Sequence, residues 1–157
     1  MSIITAKTIR TPAQSLNPRV KSLNYLNNIL AKIEASDAGV SEALMLNYDG
    51  YVAECTGDNI FAVQADKVLT PPVSAGILEG ITRDTVIELA AAQGLELEEV
   101  QMRLDDLYSA EECFLTGTAA EIVPVTKIDD RIIGTGQPGP ITKLLMASFH
   151  KYVHKQT

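Results

Sequence analysis

The spacing of hydrophobic residues changes repeatedly along the chain, and each change predicts a new structural element. Residues 2–10 alternate loosely and are rich in isoleucine and threonine, which predicts a strand, and the prolines within residues 11–19 predict a loop. Helical spacing follows and predicts a helix that ends near Gly39. The expected buried face of this helix consists of Leu23, Leu26, Leu30 and Ile33.

Two hairpins are predicted in the middle of the chain. Residues 42–47 and 51–54 are expected to pair across Asp49-Gly50, because an Asp-Gly pair is a strong hairpin signal. Residues 60–64 and 67–70 are a second pair of short apolar runs, and a Pro-Pro pair ends it. This part of the chain is therefore expected to be rich in strands.

The second half mixes helices with strands. We expect a loop over residues 74–80 and then a helix that Thr82 caps and that ends at Gly94. Its buried face is expected to hold Val86, Leu89 and Ala90. The remaining predicted elements are strands at 95–102, 113–116, 122–128 and 131–134, a short helix at 104–110, and a final helix from Pro140 that buries Ile141, Leu144, Leu145 and Phe149. This succession of hairpins and helices indicates a mixed α/β (α+β) domain.

Size and composition fit one globular domain. The chain has 157 residues, of which 46% are hydrophobic and 21% are charged. Its net charge of -7 disfavours binding to nucleic acids, and no apolar run is long enough to cross a bilayer. Cys55 and Cys113 are far apart and suggest neither a zinc cluster nor a disulfide framework. We therefore expect a cytoplasmic protein with no metal, nucleic-acid or membrane partner.

Two ionisable residues are candidates for chemistry. Lys21, between a proline-containing loop and a helix, is either a solvated lysine or a lysine whose amine forms a Schiff base. Glu54, at the end of a hairpin strand, is either an exposed carboxylate or the group that keeps a pyridine nitrogen protonated. For each residue taken alone, composition favours the first alternative.

Two turns could bind an anion. Ile81–Thr82 begins a helix whose first amides lack intrahelical partners, and Gly117–Ala119 offers further amides and a hydroxyl. The alternatives are an ordinary helix cap and an ordinary tight turn. Neither a Walker loop nor a GxGxxG motif is present. His150 and His154 lie one helical turn apart, but without a third ligand nearby they are expected to be an exposed helix end rather than a metal site.

Four segments of the chain, in their order, resemble the motifs of one enzyme family. They are KSLNYLNN at Lys21–Asn28, YVAECTGDNIF at Tyr51–Phe61, LEGITRD at Leu78–Asp84 and FLTGTAAEIVPV at Phe114–Val125. They are similar to the lysine motif, the glutamate motif, the phosphate cup and the last active-site turn of class IV pyridoxal 5'-phosphate (PLP) aminotransferases. Within that family, the Asn-Tyr-Leu and Gly-Thr-Ala-Ala-Glu sequences resemble the branched-chain type.

The resemblance implies a role for each matching residue. Lys21 would bind the cofactor covalently and then act as the general acid/base that moves the substrate α-proton. The other implied cofactor contacts are Tyr25 near the phenolic oxygen, Glu54 at the pyridine nitrogen, Leu78 against the ring, and Ile81, Thr82 and Thr118 at the phosphate. The amides of Thr118 and Ala119 would receive the substrate carboxylate, and Asn59 would hold the turn beyond Glu54.

The resemblance also implies a fold and a reaction. The fold would be the large-domain pseudo-barrel of the D-amino-acid aminotransferase-like, fold-type IV PLP enzymes. The reaction would be reversible amino transfer between leucine, isoleucine or valine and 2-oxoglutarate, carried out by a homodimer. D-amino acid transamination and aminodeoxychorismate lyase chemistry are alternatives on the same scaffold. A non-catalytic module that folds and dimerises is an alternative of another class.

One departure from the family is expected. Family members carry a smaller N-terminal domain, which supplies an arginine to the cofactor phosphate and part of the substrate pocket. We therefore expect residues 1–157 to be the C-terminal PLP-binding domain alone, with the N-terminal small domain absent. Neither Arg10 nor Arg19 lies in a matching motif, so neither is assigned a role. Losing one charge-assisted hydrogen bond would weaken phosphate binding roughly tenfold to a hundredfold.

Overall fold

The computed structural model describes residues 1–155, and within this range it contains ten strands and four α-helices. The strands are β1 (Ser2–Thr5), β2 (Ala43–Leu46), β3 (Val52–Cys55), β4 (Asn59–Gln64), β5 (Lys67–Thr70), β6 (Leu97–Glu99), β7 (Glu112–Gly117), β8 (Glu121–Val125), β9 (Lys127–Ile128) and β10 (Arg131–Ile132). The helices are α1 (Leu26–Asp37), α2 (Ile81–Ala92), α3 (Leu104–Tyr108) and α4 (Pro140–Lys155), with one 3-10 turn at Val73–Ala75. The mixed composition of elements confirms the predicted fold class.

The strands form two five-stranded mixed sheets. The first has the order β10-β9-β1-β2-β3, and β1 runs parallel to both of its neighbours. The second has the order β6-β5-β4-β7-β8 and is antiparallel except for the β5–β6 pair. Both predicted hairpins are present as β2–β3 and β4–β5. The pairings expected from the Asp-Gly turn and from the second pair of apolar runs are therefore both observed.

Three apolar clusters hold these layers together. One lies between the two sheets and includes Ile3, Leu44, Ile60 and Leu115. A second lies under α2 and α4, where the rings of Phe61 and Phe114 stack with centroids 4.9 Å apart. The third packs α1 against the first sheet. The order of layers is therefore α1, first sheet, second sheet, and then α2 with α4. No helix within residues 1–155 is long and apolar enough to cross a membrane.

The first strand is shorter than predicted, because it ends at Thr5 rather than at Arg10. The amides of Lys7 and Thr8 donate to the carboxylate of Glu34 on α1, at 2.6 and 2.9 Å, instead of to a neighbouring strand. The chain returns to the sheet at Arg10, whose amide donates to Leu46 O at 2.8 Å. After these loop residues, the side chain of Arg10 is buried.

The predicted buried face of α1 is wrong. Small and polar side chains, those of Asn28, Ala31 and Ala35, are the buried ones. The large residues expected to be buried are exposed in this chain, and the predicted first residue, Leu23, lies before the helix. The exposed side chains from that set are Leu23, Leu26, Leu30 and Ile33. Small side chains allow α1 to approach the sheet closely, so the large ones are left on the outer face.

Two further details differ at helix ends. Gly80, not Thr82, is the N-cap of α2, and Thr82 is the second residue inside the helix. In α4, Leu145 and Phe149 are buried as predicted, but Leu144 is 39% exposed. The buried face of α4 contains Thr142, whose amide donates to Glu112. Leu144 is two residues further along the helix, so its side chain lies toward the outside.

Candidate active site

A cavity of about 840 Å³ lies at one end of the two sheets. Its walls come from the end of β3, the start of β4, the N-terminus of α2, the end of β7 and the loop before α1. Among the residues that line it are Lys21, Tyr25, Glu54, Leu78, Ile81, Thr82 and Thr118. Ala119 follows Thr118 in the β7–β8 turn but is not part of the cavity wall. The assigned roles of all these residues, including Ala119, stay predictions.

Glu54 is a buried carboxylate, only 5% exposed, and is held from three directions. Arg10 Nη2 lies 2.6 Å from Oε1, while Oε2 accepts hydrogen bonds from Asn59 Nδ2 at 2.9 Å and from the Leu78 amide at 3.0 Å. Burial raises the pKa of Glu54 from its usual 4.5 to about 7, although the Arg10 guanidinium and the Leu78 amide act in the opposite direction. Since a carboxylate has about four lone-pair positions, one remains for a donor in the cavity.

Arg10 is the residue that sequence reasoning missed. Its guanidinium joins three elements, because it also donates to Asn28 Oδ1 at 2.7 Å and to Gly76 O at 3.1 Å. It is 7% exposed, although arginine is seldom fully buried without a partner. The position of Arg10 at the end of a predicted strand gave little indication that the residue would be buried in a functional site. The carboxylate that it contacts is distant in sequence, at the end of a different predicted strand.

Tyr25 and Asn28 meet at one backbone carbonyl. The Tyr25 hydroxyl and Asn28 Nδ2 both donate to Thr56 O, the latter at 2.8 Å. Burial and the neighbouring Glu54 raise the pKa of the Tyr25 phenol, so the hydroxyl keeps its proton. These bonds connect the lysine-bearing loop and α1 to the turn that follows Glu54. Asn59, expected to hold that turn, holds Glu54 itself and also donates to Leu78 O at 2.9 Å.

The N-terminus of α2 opens into the cavity without a side-chain cap. Its N-cap, Gly80, makes no side-chain hydrogen bond, so the first amides of the helix are left for another acceptor. The N-terminus of α4 shows the contrasting arrangement. There the carboxylate of Glu112 accepts from the amides of Ile141 and Thr142 at 3.0 and 2.7 Å. Only the α2 terminus, of these two, presents unfilled amides next to Thr82 and Thr118.

Lys21 lies on the cavity wall with its side chain exposed. Within residues 1–155, no hydrogen bond or ion pair restrains its ammonium group. The adjacent loop is joined to Glu79 of the cavity wall by an exposed ion pair, Arg19 Nε to Glu79 Oε2, at 2.6 Å. Lys21 thus places an unrestrained ammonium group at the cavity wall.

The two histidines of α4 are not part of the cavity wall. The rings of His150 and His154 contact each other edge to face, with centroids 4.1 Å apart. Among the described residues, no group of three or more His, Cys, Asp or Glu side chains could hold a metal ion. Since a metal site needs a third ligand, this pair is a contact between neighbouring turns of one helix.

Comparison with known proteins gives the same family from sequence and from structure. The family described as amino-transferase class IV matches residues 1–128. A Methanocaldococcus jannaschii protein that carries the name of a branched-chain-amino-acid aminotransferase is 56% identical over 146 residues, 93% of this chain and 51% of that protein. The D-alanine aminotransferase of Bacillus licheniformis is 39% identical over 157 residues, 100% of this chain and 54% of that protein.

A solved structure shows the same architecture. It is the branched-chain amino acid aminotransferase of Thermobaculum terrenum in its PLP-form, 43% identical, with a TM-score of 0.95 over 99% of this chain and 52% of the other. The predicted fold-type IV architecture is therefore confirmed. This chain spans about half the length of these two curated relatives. Because the family match covers most of the chain and the relatives are similar in both sequence and fold, the chain belongs to the class IV aminotransferases.

Proposed function

We propose that the cavity binds pyridoxal 5'-phosphate and that this chain is the cofactor-bearing part of a branched-chain-amino-acid aminotransferase. The observation that carries the proposal is the meeting of Lys21, Glu54 and the uncapped N-terminus of α2 in one cavity. A pyridoxal ring needs a carboxylate at its nitrogen, an amine at its aldehyde and donors at its phosphate. Each of these groups is present, and the cavity volume of about 840 Å³ is ample.

The walls of the cavity suggest which end of the cofactor lies where. Glu54 has one acceptor position left, which suits a protonated ring nitrogen. The free amides of Ile81 and Thr82 favour an anion because the positive end of the helix dipole lies there, and the Thr118 hydroxyl adds a donor. Leu78 supplies an apolar surface beside Glu54.

Lys21 is proposed to supply the reacting amine and to carry protons. When bound, the cofactor supplies an electron sink for negative charge that develops on an amino-acid substrate. The Lys21 amine then serves as the base that removes the α-proton from the substrate. The same group, once protonated, serves as the acid that donates this proton to the cofactor. Arg10 lowers the pKa of Glu54 against the larger effect of burial and so favours the charged form, and the Tyr25 hydroxyl holds the turn at Thr56 in place.

Covalent trapping tests the cofactor assignment. The chain is mixed with PLP, reduced with borohydride, digested and examined by mass spectrometry. We expect a pyridoxyl group on Lys21 and no specific adduct in Lys21→Ala. Lys32, which is paired with Glu42 at 3.1 Å, provides the matched control, since Lys32→Ala should still be labelled at Lys21. Labelling spread over surface lysines, or none at all, would count against the proposal.

The substrate assignment is tested by half-reactions. We expect the PLP-loaded chain to lose the absorbance of its lysine-bound cofactor with L-leucine, L-isoleucine or L-valine and to recover it with 2-oxoglutarate. The second candidate is D-amino acid transamination, which is favoured by the full-length match of this chain to a D-alanine aminotransferase. Spectral change with D-alanine but not with L-leucine would replace the first assignment by the second.

We also infer a homodimer that works in the cytoplasm. Four large apolar side chains on the outer face of α1, Leu26, Ile29, Leu30 and Ile33, are each at least 47% exposed, and a surface of this kind favours self-association. Both cysteines are free and buried, as is usual in reducing compartments. Light scattering should give twice the 17.0 kDa chain mass, and Ile33→Lys should give the single mass. A single mass for the unaltered chain would refute the dimer.

A further inference from the structure

Thr116, at the end of β7, carries a buried hydroxyl that the mechanism above does not use. The residue is 1% exposed, and its Oγ1 has no hydrogen-bond partner within residues 1–155. Buried polar atoms in proteins nearly always have a partner, because leaving one unpaired costs its hydration. Thr116 also forms part of the cavity wall. Thr116 is thus a residue of the cavity wall with a buried and unpaired hydroxyl.

The pleat of β7 shows the direction of this hydroxyl. Successive side chains of a strand point to opposite faces, so Thr116 lies on the same face as Phe114 and opposite to Leu115. Leu115 packs in the core between the sheets, whereas Phe114 packs in the cluster under α2 and α4. The Thr116 side chain is therefore directed toward the layer that contains α2.

The strand partner of Thr116 gives further information on where the Thr116 side chain lies. Thr116 pairs with Asn59 on β4, and paired residues present their side chains on the same face. The Asn59 carboxamide lies against the start of α2, since its Oδ1 would be only 2.3 Å from a Cβ placed on Gly80, the N-cap. Thr116 therefore lies beside Asn59, whose carboxamide contacts both Glu54 and the start of α2.

We propose that Thr116 donates a hydrogen bond to the phosphate group of the bound cofactor, next to the α2 amides and the Thr118 hydroxyl. This inference rests on the proposed function of the cavity. A phosphate offers only acceptor oxygens, and a threonine hydroxyl can rotate its proton toward them. The bond would be charge-assisted, and so stronger than one between neutral groups. It would also satisfy the hydroxyl that the folded chain leaves unpaired.

Removing the hydroxyl without changing the side-chain volume tests the proposal. Thr116→Val should weaken PLP binding about tenfold to a hundredfold, measured by absorbance titration. It should leave the affinity for pyridoxal, which lacks the phosphate, unchanged. The melting temperature of the cofactor-free protein should stay the same or rise, because an unpaired buried hydroxyl is lost. Thr116→Ser keeps the hydroxyl and should bind PLP within a few-fold of the unaltered chain.

Thr142 on α4 provides a matched control. It is 0% exposed, and its Oγ1 likewise has no partner among the described residues, but it does not line the cavity. Thr142→Val should therefore leave PLP affinity unchanged. The proposal is overturned if Thr116→Val binds PLP as tightly as the unaltered chain, or if it loses PLP and pyridoxal affinity equally. Failure of the unaltered chain to bind PLP would overturn the proposed function together with this inference.

Discussion

Replacing Arg10 by glutamine should make the stability of the protein depend on pH in a new range. The guanidinium lies 2.6 Å from Glu54 Oε1, and both side chains are at most 8% exposed. Glutamine removes the charge and keeps a donor amide. What remains around Glu54 is then the Asn59 amide, the Leu78 amide and the burial that disfavours its ionised form.

The size of the expected loss in unfolding free energy follows from the pKa of Glu54. With Arg10 present, that pKa is about 7, above the ordinary value of 4.5. Ionisation of Glu54 therefore lowers the stability of the unaltered protein between about pH 4.5 and 7, and no further above pH 7. In Arg10→Gln the pKa of Glu54 is higher, so the loss continues above pH 7. It grows by at most about 1.4 kcal/mol per pH unit, or roughly 3 kcal/mol at about pH 9.

Urea unfolding of the variant and the unaltered protein at about pH 5.5 and about pH 9 measures this difference. At the lower pH, Glu54 is protonated in both proteins, and only the altered hydrogen bonds matter, which is worth about 1–3 kcal/mol. At the higher pH, the ionisation cost is added. Arg19→Gln is the matched control, because Arg19 pairs with Glu79 at the same 2.6 Å but on the surface. Its loss should be about 0–1 kcal/mol at either pH.

The double variant Arg10→Gln with Glu54→Gln separates charge from packing. Compared with Glu54→Gln alone, which has no titrating group at position 54, the double variant should lose the same stability at both pH values. Equal losses of stability for Arg10→Gln at both pH values would refute the reasoning. That result would mean that Arg10 acts by filling space and holding Asn28 and Gly76, and not by its charge.

Two further outcomes follow from close packing and burial. Gly80→Ala would place a Cβ 2.3 Å from Asn59 Oδ1 and should lower the free energy of unfolding in urea by about 1–3 kcal/mol. The control is Gly57→Ala, where nothing lies within 4 Å of the added Cβ, and its free energy of unfolding should change by no more than about 0.5 kcal/mol. Equal losses for the two variants would refute the contact. Burial raises the pKa of Cys55 well above its ordinary value and that of Cys113 to about 12, so neither thiol should react with Ellman's reagent at about pH 8 in the folded protein. Both should react after unfolding in denaturant, and rapid reaction of the folded protein would contradict their burial.

Local patterns in the sequence determined most of the secondary structure. The Asp-Gly pair and the apolar runs predicted the hairpins β2–β3 and β4–β5, because turn chemistry and strand alternation act over a few neighbouring residues. The ordered motifs around Lys21, Glu54, Thr82 and Thr118 likewise contribute side chains to one cavity, while the roles that the resemblance implies for them stay predictions. In both cases, the information lies in short segments of the chain.

The tertiary structure alone decided which face of α1 is buried and which polar groups meet. Helical spacing marked the large residues of α1 as its core face, but close approach to the sheet required Ala31 and Ala35. The contact of Arg10 with Glu54 and the pairing of Thr116 with Asn59 depend on how the strands are ordered and aligned in the two sheets. Because these partners are far apart in sequence, their contact is a property of sheet order and register, and no local periodicity encodes it.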